Sequence, residues 1–305
     1  MRSVDSLFYL AAAAGIASAL VAPQARADVC NGHAELCERG YGDVTYLGSH
    51  DSFAISDSSA SVARTQEVGL KEQLDLGVRM LQAQAHKDGD DLKFCHTSCI
   101  LFDGGKVVDY LKTVKEWLDE NPNEVLTFIF TNPEGLPAQS MWAPAFRDAG
   151  LIDLAYVPPS QPVARGDWPT LGELIDTGKR VLVFLDDTGG GGVDFIMAEF
   201  DNIWEAPFSS TDKNFPCKVD RITGNLSPEQ HMNMINHNLN KKVLGSDDIL
   251  VPDYGDIETT NSVDSILADN NGCKGLAGNV NANFVMLDFV NKGEGLKAVD
   301  QLNGF

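Results

Sequence analysis

The sequence predicts an α/β fold built as a single TIM-type β/α barrel. Apolar stretches of strand length alternate along the chain with amphipathic stretches of helix length. Two runs, Val125 to Phe130 and Arg180 to Leu185, are almost continuously apolar, the pattern of parallel strands covered on both faces. Residues 28–305 also approach the roughly 250 residues typical of such a barrel. An open doubly wound sheet is the alternative that the same alternation allows.

Each element follows from its local pattern. Val44 to Gly48 is strand-like and runs into a polar loop from Ser49 to Ser61. Gln66 to Leu76 carries Val68, Leu70, Leu74 and Leu76 at helical spacing, and Gly77 closes it. Val78 to Ala85 and the shorter Leu92 to Cys95 read as strands. Val107 to Leu118 gathers Val108, Leu111, Val114, Trp117 and Leu118 on one helix face, and Asn121-Pro122 stops it. After the Val125 strand, helices are expected over Met141 to Asp148 and Thr170 to Thr177, and the Arg180 strand ends at Asp186-Asp187. Ser227, with Pro228 behind it, reads as the cap and first turn of a helix reaching about Asn240. In that helix His231 and His237 would be six residues apart, off the spacing that puts two ligands on one face. Phe284 to Val290 is the last strand, and Gly295 to Leu302 the closing helix.

Composition narrows the function. Acidic residues number 44 against 23 basic ones, for a formal charge of −21. That surplus excludes the basic footprint nucleic acids need and disfavours electrostatic docking on anionic membranes. With 43% hydrophobic and 22% charged residues, the acidity is not a sign of disorder. Residues 1–27 have the form of a secretory signal: Arg2, an apolar run from Leu7 to Ala22, and small residues at Ala25-Arg26-Ala27. The alternative, a membrane anchor, would need a run nearer 20 residues. The domain is therefore read as residues 28–305, secreted, without a transmembrane anchor, and monomeric.

The six cysteines fit export. An even count after a signal sequence favours disulfides, and proximity suggests Cys30 with Cys37 and Cys95 with Cys99, leaving Cys217 for Cys273. A zinc site is the rival reading, though no Cys-x-x-Cys pair is present. Asn225-Leu226-Ser227 is a glycosylation sequon at Asn225.

In barrels of this kind the chemistry gathers where strands run out into loops at their C-terminal ends. Polar residues stand at those positions: His50 and Asp51 after the first strand, Gln82, Gln84 and His86 along the second, and His96 at the end of the third. Thr131 and Asn132 follow the fourth, Asp186 a later one, and Asp288 lies within the last. Two histidines and a carboxylate from different strands can form a general base, a general acid and an orienting group. Cys95-His96-Thr97-Ser98-Cys99 reads as a tight disulfide loop holding His96. Gly189-Gly190-Gly191-Gly192 lacks the Lys-Ser/Thr ending of a phosphate-binding loop.

Leu47-Gly48-Ser49-His50-Asp51-Ser52 resembles the Gly-Thr/Ser-His-Asp-Ser motif of the phosphatidylinositol-specific phospholipase C X region. Glu72-Gln73-Leu74-Asp75-Leu76-Gly77-Val78-Arg79 and Phe94-Cys95-His96 continue the resemblance, as do Asn123 to Phe128 and Phe284-Val285-Met286-Leu287-Asp288-Phe289. Within that superfamily of PLC-like phosphodiesterases the chain is most similar to secreted, fungal-type members. The resemblance implies a distorted barrel and attack by an inositol 2-hydroxyl on its own phosphodiester, giving a cyclic phosphate and diacylglycerol. It implies His50 as base, Asp288 as its orienting partner, His96 as acid and Asp51 as an assistant in the same cluster. Gln82, Gln84, His86, Asn132 and Asp186 are candidates for substrate contact, and no metal or other cofactor is required.

The strand after the Gly-x-Arg element carries a phosphate-binding Arg in bacterial members and acidic metal ligands in calcium-dependent ones. Here it reads Gln82-Ala83-Gln84, which offers amides but no positive charge. Two further readings follow: a metal-dependent glycerophosphodiesterase-like enzyme, and a degenerate barrel that binds a polyol or lipid headgroup without turnover. An anionic substrate on so acidic a chain calls for a local basic pocket, an acidic working medium or a substrate of low charge.

Overall fold

The structure, a computed structural model, describes residues 27–243 and 249–305. The segment read as a secretory signal lies outside them, except for Ala27. The strands are β1 (Tyr46–Ser49), β2 (Val78–Asp88), β3 (Asp91–Cys95), β4 (Asp103–Lys106), β5 (Leu126–Thr131), β6 (Val181–Leu185), β7 (Ile196–Ala198), β8 (Ile203–Glu205), β9 (Met232–Asn236), β10 (Asn240–Lys242), β11 (Leu250–Pro252) and β12 (Phe284–Leu287). The helices are α1 (Leu70–Asp75), α2 (Val107–Glu120), α3 (Ala143–Asp148), α4 (Leu171–Asp176), α5 (Glu199–Asn202), α6 (Ile257–Thr260), α7 (Val263–Cys273) and α8 (Gly295–Asn303).

Eight strands form one curled parallel sheet in the order β7-β6-β5-β2-β1-β12-β9-β8. This is the expected TIM-type plan, with a seam: β7 and β8 are consecutive in the chain but are not paired with each other. The eleven-residue β2 serves two sheets. Its first part lies between β1 and β5, and its end, from Ala85 to Asp88, turns antiparallel to β3, which in turn pairs with β4.

Strand alternation sorts the core into two layers. Tyr46, Met80, Ile129, Phe184, Met197, Ile203, Met232, Met234, Phe284 and Met286 fill the barrel interior. Leu47, Leu81, Phe128, Phe130, Val183, Leu185, Ile235, Val285 and Leu287 point outward, to pack with helical residues such as Leu111, Val114 and Ala298. Each such side chain, fully buried, contributes about 1.5–3 kcal/mol. Gly48 also faces inward, where a Cβ would come 2.3 Å from Met80 Cε. Tyr41 plugs the end away from the strand tips, its hydroxyl bonded to Thr127 Oγ1 at 2.6 Å.

All three expected disulfides are present: Cys30–Cys37, Cys95–Cys99 and Cys217–Cys273. The sequon residue Asn225 is exposed. The helix expected from Ser227 to Asn240 is not formed. Ser227 and Pro228 start only a turn, in which the carbonyl of Ser227 accepts from the N–H groups of Gln230 and His231, and the chain then extends as β9. Here tertiary burial overrides local propensity: Met232 and Met234 fill the barrel interior and Ile235 the outer layer, a period of two that only a strand provides. The Gln66 helix also begins later, at Leu70, because Gln66 is fully buried at the strand tips instead.

Candidate active site

One rule of parity builds the site. Each inward-facing series changes from apolar to polar near the C-terminal end of its strand: Gly48 to His50, Met80 to Gln82 and Gln84, Ile129 to Thr131, Phe184 to Asp186, Met197 to Glu199, Ile203 to Glu205, Met234 to Asn236 and Asn238, and Met286 to Asp288. Except for Asp186 and Asp288, these tips line a cavity of about 370 Å³. His50, Asp51, Gln82, Gln84, His96, Thr131, Glu199, Glu205, Arg221, Asn236 and Asn238 are among its lining residues, with Ile129, Met234 and Met286 as its apolar floor.

The two histidines meet across Asp51. His50 Nδ1 lies 2.7 Å from Asp288 Oδ1, and its Nε2 lies 3.7 Å from Asp51 Oδ2. His96 Nδ1 lies 2.5 Å from the carbonyl of Ala63, which can only accept, so this nitrogen carries a proton. His96 Nε2 therefore faces the cavity, 3.4 Å from the same Asp51 oxygen. The ring centroids stand 6.2 Å apart.

Backbone and side-chain contacts hold this geometry. Asp51 has a left-handed φ of 34°, a conformation aspartate tolerates better than most residues. Its N–H donates to Gln82 Oε1 at 2.7 Å, and its Oδ1 accepts from the Gln84 N–H at 3.1 Å. Gln66 ties the first and last strand tips together: its Nε2 donates to the carbonyls of His50 and Leu287, and its Oε1 accepts from the Val290 N–H. The Asn238 amide lies 3.0 Å from His50 Nδ1.

Burial works to lower the His50 pKa, but the charge and hydrogen bond of Asp288, with the charges of Asp51 and Glu205, outweigh it. The net effect pushes the imidazole up to about 9. His50 is thus an imidazolium at neutral pH in the free protein.

Across the cavity, Glu199 and Glu205 flank the open seam, and both are 2% exposed. Burial, then the neighbouring charge and hydrogen bond of Glu205, raise Glu199 well above the carboxylate range. Glu205 accepts from Arg221 Nη2 and from Asn236 Nδ2. The Arg221 guanidinium also lies over the Phe208 and Phe200 rings, at 4.5 and 5.2 Å.

Sequence reading missed Glu199, Glu205, Arg221, Asn236, Asn238 and Gln66. Parity marks the residues on β8 and β9 and the one following β7, once those short strands are recognised. Arg221 lies on a loop with no periodic signal. Three sequence candidates lie elsewhere. His86 shares parity with Gln84, but β2 has left the barrel by then, and its Nδ1 meets Glu134 Oε1 at 3.0 Å. Asn132 is spent on loop structure, its Nδ2 donating to the carbonyls of Leu136 and Asp187. Asp186 Oδ1 accepts from the Asn132 and Asp187 N–H groups, while burial, opposed by those bonds, raises its pKa. Of the glutamines, Gln82 is tied at both ends, Nε2 to Thr131 Oγ1. Gln84 uses only its Oε1, accepting from the Thr97 N–H at 2.8 Å.

The fold has a counterpart among known proteins. The family model described as PI-PLC X 1 matches residues 36–303. The chain belongs to the PI-PLC X family. This PI-PLC X chain is 42% identical to the PI-PLC X domain-containing protein 1 of Arthroderma benhamiae, over 92% of each chain. It is 38% identical to an uncharacterized secreted protein of the same organism, over 87% of this chain and 60% of that one. The fold is shared with the phosphatidylinositol-specific phospholipases C of Staphylococcus aureus and Listeria monocytogenes. The Staphylococcus structure gives a TM-score of 0.55 at 14% identity over 87% of this chain and 94% of that one. The Listeria structure gives 0.55 at 13% identity over 88% and 96%. Among the described residues of the PI-PLC X fold no helix is long and apolar enough to cross a membrane. Among them, too, no three His, Cys, Asp or Glu side chains gather so as to hold a metal ion.

Proposed function

We propose that this PI-PLC X chain is a secreted phosphodiesterase that cleaves a phospholipid or glycerophospho-polyol by paired histidine acid–base catalysis. One observation carries the reading: both histidines have Nδ1 engaged, with Asp288 and with the Ala63 carbonyl, and both turn Nε2 toward one carboxylate at the cavity mouth. His50 Nε2, when neutral, takes the proton of the attacking hydroxyl as its oxygen bonds to phosphorus. His96 Nε2–H then gives a proton to the leaving oxygen as the second P–O bond breaks. Asp288 compensates the imidazolium formed at His50, and Asp51 holds the two rings at working separation.

The positive charge that the substrate phosphate meets comes from the His96 imidazolium that serves as acid, and the neutral Gln84 amide adds only a hydrogen-bond donor, because Arg221 is already engaged with Glu205. Export is supported by three disulfides and by the relative named as secreted. The names of the bacterial neighbours make phosphatidylinositol the first substrate to try. Headgroup binding without turnover is the second reading, favoured by the absence of an unpaired arginine among the described residues of the cavity lining.

The test is turnover of a phosphodiester panel that includes phosphatidylinositol and glycerophosphoinositol, with and without chelator. Wild type should cleave at least one substrate with chelator present, and His50→Ala and His96→Ala should each lose 100-fold or more, on the order expected for acid–base groups. Binding with no turnover by wild type would establish the second reading. Loss of the rate with chelator would establish a metal-dependent enzyme.

A further inference from the structure

His96 stands on different support from the rest of the site. His50, Gln82, Asn236 and Asp288 lie on or just after strands with a barrel strand on each side. His96 instead follows β3, which pairs only with the outer end of β2 and with β4. Its turn is closed by the Cys95–Cys99 disulfide, four residues apart in sequence. Within the turn Thr97 has a left-handed φ of 63°, which a β-branched residue adopts only under constraint. Side-chain contacts tie the turn to its surroundings: the Thr97 N–H donates to Gln84 Oε1, His96 Nδ1 donates to the Ala63 carbonyl and His96 Nε2 lies 3.4 Å from Asp51 Oδ2, while backbone bonds join His96 and Ser98 to Phe102. Cys95 is fully buried behind the ring, Cys99 is half-buried, and Ile100 beside it is fully exposed. The covalent tie thus joins the buried end of β3 to the more exposed side of the turn.

We propose that the Cys95–Cys99 disulfide positions His96 for the acid step, so that opening it uncouples departure of the leaving group from attack at phosphorus. The inference rests on the proposed acid–base reaction. A dithiol reductant opens the tie by thiol–disulfide exchange. One reductant thiolate attacks Cys99 Sγ and expels Cys95 Sγ, which takes up a proton. The second reductant thiolate then displaces Cys99 Sγ, which is likewise protonated. Two electrons pass to the protein and the reductant leaves as its own disulfide. With the ring open, Thr97 relaxes from the left-handed region, and His96 Nε2 is no longer held beside Asp51.

The experiment compares esters that differ only in their need for an acid: the 4-nitrophenyl and n-butyl diesters of inositol phosphate, and the same pair on glycerol phosphate. Nitrophenolate departs without a proton, whereas butoxide needs one. For the full chain carrying Cys95→Ala and Cys99→Ala together, kcat on the butyl ester should fall by about 100-fold, and on the nitrophenyl ester by less than about threefold. In a His96→Ala background the paired cysteine change should cost the butyl ester nothing further. Wild type treated with dithiothreitol should reproduce the selective loss, and reoxidation should restore it. Equal losses on both esters, with or without a drop in urea stability, would mark a general structural role and overturn the inference. An unchanged butyl rate would also overturn it. A wild type inactive on all four esters would overturn the proposed reaction, and the inference with it.

Discussion

The sharpest consequence of the site is the behaviour of His50 when Asp288 loses its charge. In the native protein Asp288, 1% exposed, holds His50 Nδ1 at 2.7 Å, and the imidazole is raised from 6.5 to about 9. A shift of that size corresponds to about 3 kcal/mol favouring the imidazolium. At pH 7 only about 1% of the free protein then carries His50 as a neutral base. Asp288→Asn removes the largest raising influence and leaves burial in place, so His50 should titrate at or below its ordinary value. The neutral fraction at pH 7 rises, yet kcat/KM should fall by roughly 100- to 10,000-fold, because the amide neither stabilises the imidazolium formed in the reaction nor fixes the Nδ1–H tautomer.

The assay is the pH profile of kcat/KM, which reports the free enzyme, together with an NMR titration of the His50 ring. In wild type the His50 ring should titrate at about 9, and in Asp288→Asn that midpoint should move down by two units or more, while kcat/KM should be bell-shaped because the base His50 must lose its proton and the acid His96 must keep its own. Stability gives an independent sign. Because the folded pKa lies above the unfolded one, the His50 contribution is fully present below about pH 6.5 and is lost as pH rises through about 9. The destabilisation caused by Asp288→Asn should therefore be greatest near pH 6 and shrink toward pH 10. A wild-type His50 midpoint near 6.5, or one that Asp288→Asn leaves unmoved, would refute the argument. A His50 midpoint near 9 would also exclude an acidic working medium as the answer to the chain's negative charge, since acid would only protonate the base further.

Other substitutions probe the support around the histidines. Glu199→Gln puts a neutral group of the same shape where burial already disfavours a carboxylate and should change unfolding free energy by less than about 1 kcal/mol, while Glu205→Gln leaves Arg221 without its carboxylate and should cost about 3 kcal/mol. Equal costs in urea unfolding would show that Glu199 is ionised. Gln66→Ala strips hydrogen bonds from the carbonyls of His50 and Leu287 and from the Val290 N–H, and should cost about 1–3 kcal/mol while lowering kcat more than it changes KM. A Gln66→Ala protein with wild-type kcat would show that the strand tips keep their places without it.

Much of this protein was legible in one dimension. Strand alternation, the even cysteine count and the Ser49-His50-Asp51-Ser52 segment depend on neighbours in sequence, and they specified the barrel, the three disulfides and the residues His50, Asp51, His96 and Asp288 that the fold brings together. The same local logic failed where burial decided the outcome. Ser227 and Pro228 are good helix-starting residues, but Met232 and Met234 were needed to fill the barrel interior, and the chain extended. His86 keeps the parity of Gln84, yet β2 leaves the barrel between them.

The acidity of the chain was visible from composition; where positive charge would stand among those acids was not. Only the tertiary structure pairs Arg221 with Glu205, buries Glu199 beside Glu205 so that its pKa rises, and favours the His50 cation by placing Asp288 against it. Charge is a property of residues, but protonation state depends on burial and on partners that can be hundreds of positions away. His50 and Asp288 are 238 residues apart in sequence and 2.7 Å apart in space, and it is that contact which sets the chemistry of the site.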